Sequence, residues 1–134
     1  MTTLTAVYQG GLRTQATHTR SANTLITDAP PDNNGKGEAF SPTDLVCTAL
    51  CTCMLTTMAI WAEKEKINMV GMTADVVKIM SSDPRKIAEI KVTLTQQNLQ
   101  ASERQKEKLK DIAHTCPVAL SLHDSVVQSV RFDF

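Results

Sequence analysis

Residues 41–66 read SPTDLVCTALCTCMLTTMAIWAEKEK, and this stretch decides the fold. Ser41 suits the N-cap of a helix, Pro42 suits the first helical position, and Asp44 completes an S-x-x-D capping box. No charged residue follows between positions 45 and 62. A helix that is apolar on every face is a buried helix, and this one is slightly short for a bilayer. We therefore predict the central core helix of a small soluble protein.

The composition favours one globular domain and argues against several classes of partner. At 134 residues the chain is long enough to bury a core, so we expect a single domain over residues 1–134. Fourteen basic and fourteen acidic residues cancel, and no basic patch suggests nucleic acid. The N-terminus lacks the pattern of an export signal, and four cysteines are too few for a disulfide scaffold. We expect a cytoplasmic protein that binds neither nucleic acid nor membrane.

Local patterns on both sides of this helix predict an α+β fold. The predicted elements are strands over 4–8, 12–19 and 23–27, a loop over 28–40, the central helix, strands over 68–80 and 87–97, a helix from 102, a short helix over 117–123 and a strand over 126–134. We expect one antiparallel or mixed sheet around the central helix. Because one sheet cannot cover a helix that is apolar all round, a second copy of the chain is expected to cover the rest.

Three of the four cysteines lie in the central helix, on two different sides of it. Cys47 and Cys51 are about one turn apart, whereas Cys53 is roughly 200° around the axis from Cys51. Cys116 precedes Pro117 at a predicted helix start, where backbone N–H groups lower the pKa of a thiol. From the residues alone, Cys116 is the better candidate for a reactive thiolate. Burial as a small apolar side chain is the alternative for each cysteine.

Metal and hydrolase chemistry have weaker support in the sequence. His114 and His123 flank Cys116, but there is no C-x-x-C pair and the spacing matches no common zinc framework. The chain also lacks the G-x-S-x-G elbow of serine hydrolases and a glycine-rich phosphate loop. We therefore expect no metal site and no bound cofactor.

Two segments taken together resemble the OsmC/Ohr family of thiol-dependent peroxidases. They are GEAFSPTDLVCTALCTCMLTTMAIWAE at 37–63 and CPV at 116–118. LRTQATH at 12–18 and TDAPPDNNGKGEAFSPTDL at 27–45 resemble the N-terminal half of the OsmC-like branch. The resemblance covers essentially the whole chain, with the elements in the same order. It implies an intertwined homodimer whose long central helices are buried between sheets, with two active sites at the subunit interface.

The resemblance also implies an activity, the reduction of organic hydroperoxides in oxidative-stress defence. By position, Cys53 is the thiolate that attacks the peroxide, and Cys116 is the thiol that resolves the product as a disulfide. An external dithiol then restores the pair. The arginine that the family uses beside its reactive thiolate falls on Arg13, with Arg20 as the fallback.

An apolar pocket is expected beside the reactive thiol. Leu50 and Met54 are its predicted lining, which would favour organic peroxides over hydrogen peroxide.

The sequence departs from the family pattern at two positions. Cys51 stands where relatives usually have a small residue, and Thr43 stands where the best-characterised members have a glutamate. Glu38 and Asp44 are then the candidates to hold Arg13. The missing glutamate leaves open a small-molecule-binding or redox-sensing protein with little turnover. A purely structural domain, with all four cysteines in the core, is a third hypothesis.

Overall fold

The central helix, α1, runs over Pro42–Lys64 in the computed structural model, which describes all the residues from Met1 to Phe134. The other elements follow the predicted order: β1 (Leu4–Gly10), β2 (Arg13–His18), β3 (Thr24–Asp28), a 3-10 turn (Pro31–Asn33), β4 (Thr73–Ser81), β5 (Lys86–Thr95), α2 (Glu103–His114), α3 (Pro117–Ser121) and β6 (Val127–Asp133). The α+β class is confirmed. The residues form two compact units, Met1–Val46 and Cys47–Phe134.

The N-terminal unit contains the predicted three-stranded meander. Its strands pair antiparallel in the order β1-β2-β3. Gly11 and Leu12 form the first turn, with φ angles of +62° and +61°, and Gly10 at the end of β1 has a φ of +84°. Glycine adopts such angles without the steric cost of a side chain. The pairing of β2 with β3 sets Arg13 opposite Asp28. After β3 the chain folds into a short loop, in which the Ala29 carbonyl accepts a hydrogen bond from the Gly37 N–H at 3.2 Å.

The C-terminal unit contains a second three-stranded sheet, in the order β4-β5-β6. Strands β4 and β5 form the predicted hairpin, and β6 pairs parallel with β5. The expectation of one sheet is therefore wrong, because the structure has two sheets of three strands each. The β5–β6 pairing joins residues about forty positions apart, and no local sequence pattern reports so distant a contact.

The first strand of the hairpin starts later than the sequence predicts. The expected strand begins at 68, whereas β4 begins at Thr73. A turn precedes it, in which the Met72 N–H donates to the Met69 carbonyl at 3.0 Å and Gly71 has a φ of +93°. A bulge lies between Ile79 and Met80, near the point where the apolar alternation changes phase.

The core of the C-terminal unit comes from one side of α1, one face of β5 and one side of α2. From Ile90 to Leu94 alternate residues of β5 are buried, as the period-2 pattern predicts. Helix α2 begins with a complete capping box between Ser102 and Gln105. The completely or almost completely buried side chains of this core are Leu50, Met54, Met58, Ala62, Ile90, Val92, Leu94, Leu109, Ala113 and Cys116.

Within this chain α1 is buried on one side only. Thr52, Thr56 and Ile60 are exposed on the other side. By length and composition the helix could cross a membrane, but the core helix of a soluble protein meets the same criteria. The one-sided burial agrees with the sequence argument that a single sheet cannot cover an uncharged helix all round.

Candidate active site

Cys53 lies in the middle of α1 and is half-buried at the border between its covered and exposed sides. Its sulfur is 3.9 Å from the hydroxyl oxygen of Thr57, one turn further along. Burial raises the pKa of the Cys53 thiol. However, the Val118 backbone N–H, the Cys116 thiol and the Thr57 hydroxyl each lower this pKa, and together they outweigh burial. The net result is a thiol that ionises more readily than an ordinary cysteine.

Cys116 is the N-cap residue of α3 and is completely buried. Its sulfur accepts a hydrogen bond from the Ala119 N–H at 3.4 Å. Burial is the largest influence and raises the pKa of the Cys116 thiol. The neighbouring Cys53 raises it further, and the Ala119 N–H only partly offsets these effects. The expectation that Cys116 is the more acidic thiol is therefore wrong, because loss of solvent outweighs its position at a helix start.

The first turn of α3 connects the two thiols. The Val118 N–H lowers the pKa of Cys53, and the Ala119 N–H donates to the sulfur of Cys116. Both cysteines are free thiols. The structure thus brings together one thiol whose pKa is lowered and one whose pKa is raised.

The other two cysteines lie on the covered side of α1. Cys47 and Cys51 are both buried, and the Cys51 thiol donates to the Thr48 carbonyl at 3.5 Å. Burial raises the pKa of Cys51, so this thiol ionises less readily than an ordinary cysteine. No group of three or more histidine, cysteine, aspartate or glutamate side chains is arranged to hold a metal ion.

Leu50 and Met54, the predicted pocket lining, are both 0% exposed. They belong to the core of the C-terminal unit, so the expectation that they line an accessible pocket is wrong. Leu50, Met54 and Met58 follow one another at intervals of four residues, about one helical turn, so all three lie on the covered side of α1.

Arg13 is the centre of an ion-pair cluster in the N-terminal unit. Its Nε donates to Asp28 Oδ1 and its Nη2 donates to Asp28 Oδ2, both at 2.7 Å. Nη2 also contacts Glu38 Oε1 at 3.2 Å. The hydrogen bonds from Arg13 hold the pKa of Asp28 below its ordinary value, although burial opposes them. Arg20, the fallback, is exposed in the turn between β2 and β3.

Asp28 is the residue of this cluster that sequence reasoning missed. A signal for it exists in the predicted meander. The turn between β2 and β3 is centred between residues 20 and 21. Residues equally far from this centre lie opposite each other in the two strands, and Arg13 and Asp28 are such a pair. Glu38, in contrast, was a sequence candidate, and the structure places it in contact with Arg13.

Asp44, the other acidic candidate, forms the cap of α1. Its Oδ2 accepts from the Ser41 N–H at 2.9 Å, and the Ser41 hydroxyl accepts from the Asp44 N–H at 3.0 Å. This is the capping box that the sequence predicts, so the carboxylate of Asp44 serves the start of the helix.

Comparisons with known proteins agree with this fold. A family model described as OsmC-like protein matches residues 35–131. A protein of Psychrobacter arcticus, described as an osmotic stress induced and detoxification response protein, is 47% identical. The match covers 98% of this chain and 96% of that one, with a TM-score of 0.94. A search of curated proteins finds no match.

More distant solved structures share the fold. An organic hydroperoxide resistance protein from Legionella pneumophila is 20% identical, with 100% of this chain and 98% of that one covered and a TM-score of 0.70. An OsmC-like protein from Mycoplasma pneumoniae is also 20% identical, with 98% and 96% covered and a TM-score of 0.73. The extent of the family match and the 47% identity together show that this chain belongs to the OsmC family.

Proposed function

We propose that this protein is a two-cysteine thiol peroxidase that reduces organic hydroperoxides in oxidative-stress defence. The observation that carries the proposal is the pairing of Cys53 with Cys116. The half-exposed thiol has a lowered pKa, and its buried neighbour has a raised pKa. A peroxidase needs this division, because the thiolate is the nucleophile and the second thiol reacts only after the first is oxidised.

The proposed reaction has three steps. The Cys53 thiolate attacks the terminal oxygen of the hydroperoxide, the O–O bond breaks, and the alkoxide takes up a proton and leaves as the alcohol. Cys53 becomes a sulfenic acid. The Cys116 thiol then attacks this sulfur, an S–S bond forms, and the oxygen departs as water. An external dithiol reduces the disulfide and is itself oxidised, which returns both thiols without a bound cofactor.

The family resemblance assigns Arg13 to this reaction. A guanidinium stabilises a thiolate and polarises a peroxide oxygen. The strong ion pair with Asp28 holds the Arg13 side chain in one orientation, which supports this role.

The proposal includes a homodimer in the cytoplasm. Two observations support the dimer. In the most apolar 18-residue stretch of α1, only 28% of the residues are buried within this chain. The N-terminal sheet also leaves large apolar side chains exposed, namely Leu4, Val7, Tyr8, Leu25 and Ile26. Exposed apolar surface of this extent is typical of a subunit interface.

Mass spectrometry of the reduced protein tests the function directly. One equivalent of cumene hydroperoxide is added, and the intact mass and the linked peptides are determined. We expect a loss of two hydrogens and a Cys53–Cys116 disulfide. Cys53→Ser should abolish this change, whereas Cys51→Ser, in the same helix, is the matched control and should retain it. Absence of oxidation in the unmodified protein, or a disulfide that includes Cys51 instead, would contradict the proposal and favour a binding or sensing role.

A further inference from the structure

We propose that Asp28 is the positioning residue of the site: it fixes the direction of the Arg13 guanidinium, with Glu38 as a secondary partner. This inference rests on the peroxidase function proposed above, in which the family resemblance assigns Arg13 the role of stabilising the thiolate and polarising the peroxide. It adds a residue that sequence reasoning did not single out.

The contact between Arg13 and Asp28 determines the plane of the guanidinium. Two parallel hydrogen bonds at 2.7 Å join Nε to Oδ1 and Nη2 to Oδ2. Such a two-point contact restricts rotation about the last bonds of the arginine side chain, which a single contact does not. Nη1 takes part in neither bond, so both of its N–H donors stay directed away from Asp28.

Asp28 is itself held from several directions. Its side chain is 1% exposed, and its Oδ2 also accepts the backbone N–H of Glu38 at 3.1 Å. Its own N–H donates to the carbonyl of Phe40 at 3.1 Å. As the last residue of β3 it lies opposite Arg13 in the strand register. The carboxylate is therefore a rigid support, attached both to the sheet and to the loop that follows.

Glu38 is a weaker partner by the same criteria. Its side chain is 64% exposed and makes one contact with Arg13, at 3.2 Å. An exposed single ion pair is screened by water and contributes little to orientation. Its backbone contributes more than its side chain, because the Glu38 N–H binds Asp28. Asp28 is therefore the principal support of the Arg13 side chain, and Glu38 is the weaker one.

Steady-state peroxide consumption in four variants tests the proposal. We expect Asp28→Asn to lower kcat/KM for cumene hydroperoxide by about tenfold or more, since misplaced catalytic groups cost up to about a hundredfold. Glu38→Gln should cause a smaller loss. If Asp28 acts through Arg13, then Asp28→Asn should cause no further loss in an Arg13→Met background. An additive loss in the double variant would overturn the proposal, since it would indicate a merely structural effect.

A second measurement does not depend on activity. The Nε–H signal of Arg13, assigned by its absence in Arg13→Met, should exchange slowly with solvent in the unmodified protein and in Glu38→Gln. It should exchange rapidly in Asp28→Asn. Retained protection in Asp28→Asn would overturn the positioning role even if activity falls. If the unmodified protein consumes no hydroperoxide but this exchange pattern holds, the peroxidase function fails while the positioning of Arg13 by Asp28 stands.

The double variant also controls for the possibility that Asp28→Asn fails to fold. Asp28→Asn leaves the charge of Arg13 without its main partner and can unfold the N-terminal unit, whereas the Arg13→Met/Asp28→Asn double variant removes both members of the pair. If only the double variant folds, a kcat/KM equal to that of Arg13→Met supports the proposal, and a lower value overturns it.

Discussion

Cys53 and Cys116 are neighbouring thiols whose pKa values shift in opposite directions, Cys53 downward and Cys116 upward. The division follows from their surroundings. Cys53 is half-buried beside three groups that stabilise its thiolate, whereas Cys116 is completely buried. Burial disfavours the charged form of a thiol, so Cys53 ionises more readily than Cys116.

The first prediction concerns the pH dependence of alkylation. The thiolate is the reacting form, so Cys53 should react with iodoacetamide at a midpoint below that of an ordinary thiol, about 8.5. Cys51 should have a higher midpoint than Cys53, because burial raises its pKa. Thr57→Val removes a hydroxyl that lowers the pKa of Cys53, so its midpoint should rise. Peptide mapping after timed alkylation measures each rate, and an unchanged midpoint in Thr57→Val would contradict the role of the hydroxyl.

The second prediction separates the effect of Cys116 on the pKa of Cys53 from its role in forming the disulfide. Its thiol lowers the pKa of Cys53 through a side-chain interaction. Cys116→Ala should therefore raise the alkylation midpoint of Cys53, whereas Cys116→Ser, which keeps a donor at this position, should largely preserve it. Both variants should lack the disulfide after peroxide treatment. If Cys116→Ala leaves the midpoint where it is, Val118 and Thr57 alone account for the acidity of Cys53.

The third prediction concerns stability in acid. The folded-state pKa of Asp28 is lowered, chiefly by the hydrogen bonds from Arg13, so its carboxylate stabilises the fold at every pH above the unfolded value of about 3.9. This contribution is lost as the pH falls from there through the folded value. Urea unfolding between pH 2 and 5 should therefore show a steeper loss of stability in the unmodified protein than in Asp28→Asn.

The acid-unfolding experiment needs a control variant that removes a carboxylate but leaves the Arg13–Asp28 pair intact. Glu103→Gln provides one, because Glu103 is almost fully exposed at the start of α2. Its pH dependence should follow that of the unmodified protein. Equal slopes in all three proteins would show that the Arg13–Asp28 pair does not contribute to acid stability.

The fourth prediction concerns two glycines in the N-terminal unit. A Cβ atom on Gly35 would lie 1.7 Å from the carbonyl oxygen of Ala29, so Gly35→Ala must displace backbone. A Cβ atom on Gly11 would have nothing within 4 Å, and the only obstacle there is a left-handed φ of +62°. Gly11→Ala should cost about 1–2 kcal/mol, the usual penalty of that conformation, and Gly35→Ala should cost more.

Urea unfolding at neutral pH measures both glycine variants. Because the displaced loop carries Glu38 towards Asp28, Gly35→Ala should also disturb the Arg13 cluster. A smaller destabilisation by Gly35→Ala than by Gly11→Ala would mean that the loop adjusts without strain.

Local signals in the sequence determined most of the fold. The capping boxes at Ser41 and Ser102 and the alternation along β5 each depend on residues within a few positions of one another. Hydrogen-bonding partners and apolar periodicity of this kind are legible without any knowledge of distant contacts. The meander, the central helix, the hairpin and the final helices and strand were predicted for this reason.

The parallel pairing of β5 with β6 was decided by tertiary structure. So was the ion pair between Arg13 and Asp28, although the register of the meander contains a signal for it. Both bring together residues that are far apart in the chain. Composition and local spacing give little information about contacts of this kind.

The acidity of the two site cysteines also depended on tertiary structure. The sequence placed Cys116 before a proline at a helix start and made it the more acidic candidate, but its complete burial reverses that order. Cys53 has no helix terminus of its own, and α3 supplies it with the Val118 N–H. Local sequence determines where a thiol lies along an element. Its pKa depends on solvent and on neighbours from other elements, and only the folded chain sets these.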